Sequence, residues 1–329
     1  MSPRPPESTR RLLERGVLCF LAVRSDWGPH LTPVVYVLDG GRLWVTTSRR
    51  SVKARAWRRD PSVAGLVRAG EVAVTFRGRA RTYDVLDPLS WPAAAVAGPR
   101  LARAGTRFTL KNARFFAGYA ADAPRVPLAW TPPGRVFAGI DLIAGVTFRV
   151  DSGLAIEAWG EWPAGDRGPE RAAYRSTFAP LPRMKAIDLG VPRIVRTAMG
   201  SRGSGALALD SDVDAPLMVV PVKWQRRGRE GAYDAVLARR MVELGAGSAS
   251  SPAALTVDRA STWRAADMAG MLLQGAADLF ALPETRRGRK ALAPRLGAIG
   301  DPTSHALVRL RPNRVVWWQG WTSGTVRAE

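Results

Sequence analysis

The chain has 329 residues, 49 lysines and arginines against 28 acidic residues, a formal charge of +21 and 46% hydrophobic residues. That length suits two domains of roughly 150 residues each, with enough apolar side chains to fill two cores. The single cysteine, Cys19, excludes an internal disulfide and fits a reducing cytoplasm, and two histidines, His30 and His305, nearly exclude a zinc or iron cluster of the usual ligand types. No signal peptide is expected, and the apolar stretch Val17–Val23 is far below the roughly 20 residues that span a bilayer, so the expectation is a cytoplasmic protein without a membrane span. Arginine carries nearly all the positive charge, lysine standing at only five positions (Lys53, Lys111, Lys185, Lys223, Lys290). Basic residues are spread along the chain without a helix-turn-helix, zinc or RNA-binding signature, which disfavours nucleic acid as a partner and favours an anionic cofactor or substrate.

In chain order, Arg10–Arg15 reads as a short helix, Val17–Val23 and Leu31–Val37 as a hairpin, and Leu43–Thr47 as a third strand. The turn Thr46-Thr47-Ser48-Arg49-Arg50-Ser51 brings hydroxyls, backbone N–H groups and guanidinium forks to the start of a helix, Ser51–Arg59, which Asp60-Pro61 stops. Helix starts normally take acidic residues, because aligned peptide dipoles favour an anion there. Arg49, Arg50, Lys53 and Arg55 crowd this one instead, and they would repel one another unless a polyanion sits among them. The alternative is a solvated basic helix in an arginine-rich protein. Val63, Gly65 and Val67 alternate as in a half-buried strand, and Val72–Tyr83 follows with Gly78 inside it. A helical insertion at Ala93–Ala121 and a Pro/Gly-rich loop at Pro124–Gly134 precede the strands Arg135–Val150, and Trp162–Pro169 marks a domain boundary.

This order resembles the split β-barrel flavin-binding proteins related to pyridoxamine 5'-phosphate oxidase, from about Leu12 to Tyr83: a helix leading into a hairpin, a Thr-rich strand end, Ser51-Val52-Lys53 opening the next helix, and Asp60-Pro61 closing it. The wording KARAWRRDP is close to actinobacterial members, some of which use the deazaflavin coenzyme F-420. The resemblance implies that Thr46, Thr47, Arg50, Ser51, Lys53 and Arg55 hold the cofactor phosphate while Thr32, Pro33, Val34 and Val35 lie along the ring system. A flat apolar tricycle needs an apolar wall with a few backbone donors, and its phosphate needs concentrated positive charge. Leu31 and Tyr36 stand where the oxidase has an arginine and a lysine, so the wall is less charged; the substrate-binding arginines that follow the oxidase's Trp-Gln-Gly element find Gly324 and its neighbours here, with only Arg327 nearby, so true pyridoxamine phosphate oxidation is not expected. Tyr36 is a candidate proton donor if it faces the ring.

A second copy follows. Leu18–Val37 lines up without gaps on Ala206–Gln225, including the pair Pro33/Pro221; Val74–Tyr83 lines up on Met271–Phe280, with Gly78 and Gly275 at a corner or bulge; and Arg193–Met199 matches the helix before the first copy. The second copy has no Thr-rich turn with Ser-x-Lys between Trp224 and Met268, only Gly245–Ser251 and Trp263-Arg264. The closing run His305–Val326 resembles the Trp-Gln-Gly element that meets flavin across the dimer in the oxidase, with Trp318 and Gln319 as the matching contacts and Trp317 on the opposite strand face.

The expected fold is mainly β with α (α+β), two split β-barrels in tandem packed as an intramolecular pseudo-dimer, with domains at 1–165 and 166–329. The expected function is an FMN-dependent oxidoreductase, or one using coenzyme F-420, moving hydride to or from a small organic substrate. The alternative is a non-catalytic flavin- or haem-binding protein, for which His30 and His305 are the only evident axial ligands. His30, beside a hairpin turn, is expected at the surface, and Cys19 in an apolar strand as a core residue. Either a monomer with this internal pair or a homodimer is compatible with these features.

Overall fold

The computed structural model describes residues 3–84, 86–127, 134–162, 186–210, 217–228, 230–243, 250–259, 265–281 and 286–328. Helix α1 (Glu7–Arg15) leads into strands β1 (Leu18–Ser25), β2 (Gly28–Asp39) and β3 (Arg42–Ser48), and helix α2 (Val52–Arg59) links them to β4 (Ser62–Ala69) and β5 (Val72–Tyr83). Gly40 and Gly41, at φ 60° and 77°, make the two-residue β2–β3 turn, whose backbone needs two left-handed residues in succession. The insertion between β5 and β6 is helical as expected, in two pieces, α3 (Trp91–Lys111) and α4 (Ala113–Ala121). Strand β6 (Arg135–Arg149) pairs with β5 on one side and β3 on the other, closing a six-stranded antiparallel barrel; β7 (Ala155–Trp159) extends it beyond β6.

The second half repeats this plan. Helix α5 (Arg193–Met199) precedes β8 (Arg202–Leu209), β9 (Met218–Arg227) and β10 (Ala232–Ala238), α6 (Arg239–Glu243) leads to β11 (Ser250–Arg259) and β12 (Ala269–Phe280), and α7 (Arg286–Gly297) to β13 (His305–Gln319) and β14 (Thr322–Arg327). Strand order is β10-β9-β8-β11-β12-β13-β14 with β10 closing on β13, against β3-β2-β1-β4-β5-β6-β7 closing β3 on β6. Both barrels break register at the glycine read as a corner: between Arg77 and Gly78 in one, between Gln274 and Gly275 in the other. The protein is therefore two closed barrels in tandem, mainly β with a few helices. The boundary expected at 165/166 lies outside the described residues.

Two expectations need correction. The gapless match of the first hairpins holds along β2 and β9 but slips by two in the preceding strand: Pro33 pairs with Phe20, whereas Pro221 pairs with Ala206, not Ala208, because the second connection, from Leu209 to Met218, is the longer. Strand β4 is not half-buried. Val63 and Val67 fill the first barrel, and Ala64 and Leu66 join a core shared with the second, so both faces are covered.

The barrels meet reciprocally. Strand β2 packs on β8, β11 and β12, while its counterpart β9 packs on β1, β4 and β5. The shared core includes Ala22, Leu31, Leu66 and Phe148 from the first barrel and Leu207, Val220, Leu255 and Leu273 from the second. Its polar fastenings are the Thr256 hydroxyl donating to the Leu31 carbonyl at 2.6 Å, the Gln274 amide donating to the Pro29 carbonyl at 2.7 Å, and an Arg24–Asp210 ion pair at 3.0 Å.

The bulge leaves no room for a side chain at its glycine. A Cβ on Gly275 would stand 2.0 Å from the Arg311 carbonyl oxygen, which is fixed in the β12–β13 ladder. Gly275→Ala is therefore expected to cost at least about 2 kcal/mol, read as a shift in the denaturant midpoint; wild-type stability in that variant would contradict the assigned register.

Candidate functional site

Strands β2 and β3 pair only from Asp39/Arg42 to Tyr36/Val45 and then part. Beyond that point Thr46, Thr47 and Ser48 continue along β6, while Leu18–Ser25 of β1 stays paired with Gly28–Val35. The opening is the split of the barrel, with Thr46–Ser48 on one bank and Thr32–Val35 on the other. Thr32, Pro33 and Val34 are the half-exposed stretch within a strand that is otherwise largely buried. Proline suits this place because it has no N–H to offer a ladder.

Helix α2 caps the Thr46 bank. Ser51 is its N-cap: the side-chain oxygen accepts from the Ala54 N–H at 3.1 Å and from the Thr47 hydroxyl at 3.1 Å. Thr46 is held by Arg135, whose Nε donates to the Thr46 hydroxyl at 2.9 Å and whose Nη2 donates to its carbonyl at 3.0 Å. Arg49 turns to an ion pair with Asp84, and Arg50 and Arg55 stay exposed. The helix has no acidic residue in its first turn, so its positive end is left to whatever occupies the split.

Lys53 does the unexpected. Only 4% exposed, it reaches from α2 across the split and donates to the Thr32 hydroxyl, and no ion pair to it exists among the described residues. Its other close neighbour, Cys19, cannot serve as counter-ion, because burial pushes that thiol up to about 12. Burial accordingly lowers the Lys53 ammonium to about 8. His30, two residues before Thr32 on the same strand face, is 8% exposed rather than at the surface, and its Nδ1 has no hydrogen-bond partner. Burial first, and then Lys53, Arg314 and Arg55, hold this imidazole well below its ordinary range.

The remaining expected residues are placed differently. Tyr36 cannot be the proton donor: its side chain lies fully inside the first barrel, its hydroxyl donates to the Leu13 carbonyl at 2.6 Å under α1, and the Lys111 ammonium sits 4.2 Å from its ring centroid. Alternation explains the miss, since Tyr36 shares Thr32's strand face but lies where the ladder is closed. Trp318 and Gln319 are half-exposed at the end of β13, the Trp318 ring lying against Gly270 of its own barrel. The tail does meet the first barrel, but through Trp321, which together with Met268, just before β12, joins the cluster of Val35, Val37, Trp44 and Phe108. Sequence reasoning also passed over Arg135, whose role depends on the β3–β6 pairing.

The second split is built from counterpart positions. Thr46 pairs with Phe137 and Val236 with Leu307, in strands kept in step by the two bulges, so Val236, Leu237 and Ala238 stand where the first barrel has Thr46, Thr47 and Ser48. A cavity of about 410 Å³ opens there, lined by these residues with Pro221, Val222 and Lys223.

One of the two splits thus carries a basic, hydroxyl-rich helix start. Residues 5–107, which include both banks of the first split, match the family model for pyridoxamine 5'-phosphate oxidase. No curated protein matches the chain. Among solved structures, it is similar to a protein described as an F420 reductase (21% identity, 43% of this chain and 98% of that one, TM-score 0.30). It is also similar to a conserved hypothetical protein of Mycobacterium tuberculosis (22%, 45% and 87%, TM-score 0.32) and to a FAD-binding protein of Mesorhizobium loti (17%, 44% and 94%, TM-score 0.33).

The buried ammonium makes a prediction about pH. Its folded value, about 8, lies below the unfolded value of 10.5, so the unfolded chain holds the extra proton between those limits. Without ligand, stability should rise with pH across that window and carry the full cost, roughly 3 kcal/mol, below it. Lys53→Met should therefore stabilise the ligand-free protein at pH 7 and lose that advantage near pH 10.5, in urea titrations at both pH values. A destabilised Lys53→Met at pH 7 would mean that the ammonium is satisfied.

Proposed function

We propose that the first split binds a phosphate-bearing flavin or deazaflavin cofactor and that the protein is an oxidoreductase acting on a small organic substrate. The reading is carried by one observation: a buried lysine with no ion pair among the described residues, at a helix start free of acidic residues, opposite a half-exposed strand wall. These residues fit the cofactor chemistry. Lys53, Ser51 and the backbone N–H groups opening α2 would take the phosphate, Thr46 and Thr47 would stand beside it, and Thr32, Pro33 and Val34 would wall the ring. When bound, such a cofactor supplies hydride transfer.

The protein's own part is binding, orientation and exclusion of water. The Thr47–Ser51 hydrogen bond and the Arg135–Thr46 contacts fix the cradle before a ligand arrives, so little side-chain ordering remains to oppose binding. Trp321 and Met268, reaching over from the second barrel to Val35 and Val37, shield one end of the wall. Because one chain supplies both barrels, a monomer suffices in this reading; a homodimer is not required.

FMN ranks first as cofactor. Coenzyme F-420 is the alternative, with Arg55 and Arg58 exposed on α2 to attract its acidic tail. The rival reading from another class is a binding protein that holds its ligand without turnover.

The test is titration of purified protein with FMN, F-420 and haem, followed by spectroscopy. A saturable flavin or deazaflavin spectrum that reduces and reoxidises with a substrate is the expected result, and Ser51→Ala with Lys53→Ala should weaken that binding by at least about tenfold each. A bound but redox-inert cofactor would favour the rival, a Soret band would move the protein to haem handling, and unchanged affinity in both variants would sink the cradle.

A further inference from the structure

Around His30 the second barrel places a group that no motif announced. Arg314, on β13 and 8% exposed, lies in the ladder between Gln274 and Arg327. Its Nη1 donates to the Gln274 side-chain oxygen, and the fully buried Gln274 in turn donates its amide to the Pro29 carbonyl at 2.7 Å, next to His30. The guanidinium also lies 5.6 Å from the ring centroid of Trp27, in the β1–β2 turn. So the second barrel grips Pro29 on one side of His30, while Lys53 grips Thr32 on the other. Two nitrogens of these residues, His30 Nδ1 and Arg314 Nε, are buried without a hydrogen-bond partner.

We propose that Arg314 and His30 complete the anion site of the first split, so that the phosphate group of the ligand is held from both barrels at once. This rests on the reading that the first split takes an anionic cofactor, and it names the residues that make the site depend on the second barrel. An ammonium, a guanidinium Nε–H and a neutral imidazole protonated on Nδ1 offer three donors from three elements, a set suited to the several oxygens of a phosphate.

Two independent features support it. The charges facing His30 are Lys53 and Arg55 from α2 and Arg314 from β13, and the charge facing Arg314 is Arg327 from β14, all of one sign. Such a cluster is stable when an anion shares it.

The second feature is the other split. By strand register the counterparts of His30, Thr32, Thr46, Thr47 and Arg314 are Met218, Val220, Val236, Leu237 and Ala144. Every polar group is replaced by an apolar one, including the one contributed by the opposite barrel. A mere docking arginine would have no reason to change together with the cradle.

The experiment compares FMN with riboflavin, which lacks the phosphate, by fluorescence titration of wild type, Arg314→Met, Arg314→Lys and Lys53→Met, each checked for folding by circular dichroism. Inorganic pyrophosphate serves as a flavin-independent probe, read as a thermal shift at fixed ionic strength. Arg314→Met is expected to weaken FMN at least tenfold, leave riboflavin unchanged and lose the pyrophosphate shift, with Arg314→Lys intermediate. If Arg314→Met does not fold, the lysine variant decides alone, an FMN affinity equal to wild type counting against the proposal. Loss of FMN binding in Lys53→Met but not in Arg314→Met would overturn the inference and leave the cofactor reading intact. A wild type that binds no flavin but shows an Arg314-dependent pyrophosphate shift would overturn the cofactor reading and support the anion site, and no shift with pyrophosphate or FMN would overturn both.

Discussion

The parting of β2 from β3 after Tyr36 and Val45 is the constraint from which the rest follows. A strand that leaves its neighbour exposes carbonyl and N–H groups that must find other partners or meet water. Here the carbonyls of Pro29 and Leu31 are taken by Gln274 and Thr256 of the other barrel. Closing the first barrel by its own ladder would remove the opening and the reason for the second barrel to dock there. Retaining the opening leaves the half-exposed run Thr32–Val34 beside a helix start. A site and an interface arise from the same missing hydrogen bonds.

How each barrel treats buried charge separates structure from site. In the second barrel Asp234 is fully buried; burial would raise its carboxyl, but hydrogen bonds from Arg309 at 2.9 Å and Arg227 at 2.8 Å hold it low. Asp188 is likewise satisfied, accepting from the Tyr233 hydroxyl at 2.7 Å and pairing with Arg226 at 2.6 Å. The counterparts of Asp234 and Arg309 in the first barrel are Trp44 and Gly139, where an indole lies over a glycine and stacks on Phe137 at 5.1 Å. Either solution closes the barrel wall, one with a paired network and one with an aromatic layer. Lys53 follows neither pattern, being buried and basic without an ion pair among the described residues, and that exception is what the proposed function rests on.

The two-barrel plan was legible because it is written locally: turn glycines, the bulge glycines Gly78 and Gly275, the Ser51 cap and the Asp60-Pro61 stop of α2 act on neighbouring residues. The turn Thr46–Ser51 and the helix it opens were legible for the same reason, since they are contiguous. What failed was each reading that needed to know where a ladder ends or what lies opposite. Tyr36 and Thr32 share a strand face, and only the end of pairing at Tyr36/Val45 tells which of them meets the opening. His30 stands next to a turn, yet it is only 8% exposed. Arg314 is one arginine among many, and its meaning comes from docking of two segments far apart in the chain, which a one-dimensional pattern does not contain.

Covalent linkage of the two barrels explains why the sites differ. In the proposed reading each split takes its cradle from one barrel and its cover from the other, so in a symmetric pair of identical chains both sites would carry the same side chains. Joined in one chain, the first split needs only the cradle of the first barrel and the cover of the second. The remaining cradle, Val236-Leu237-Ala238, and the remaining cover position, Ala144, carry no such requirement. Unpaired buried charge destabilises the ligand-free fold, so in that reading a second split with no anion to hold gains from apolar packing. Pro221 holds the position of Pro33 at the second split, and the cavity of about 410 Å³ opens where β9 parts from β10.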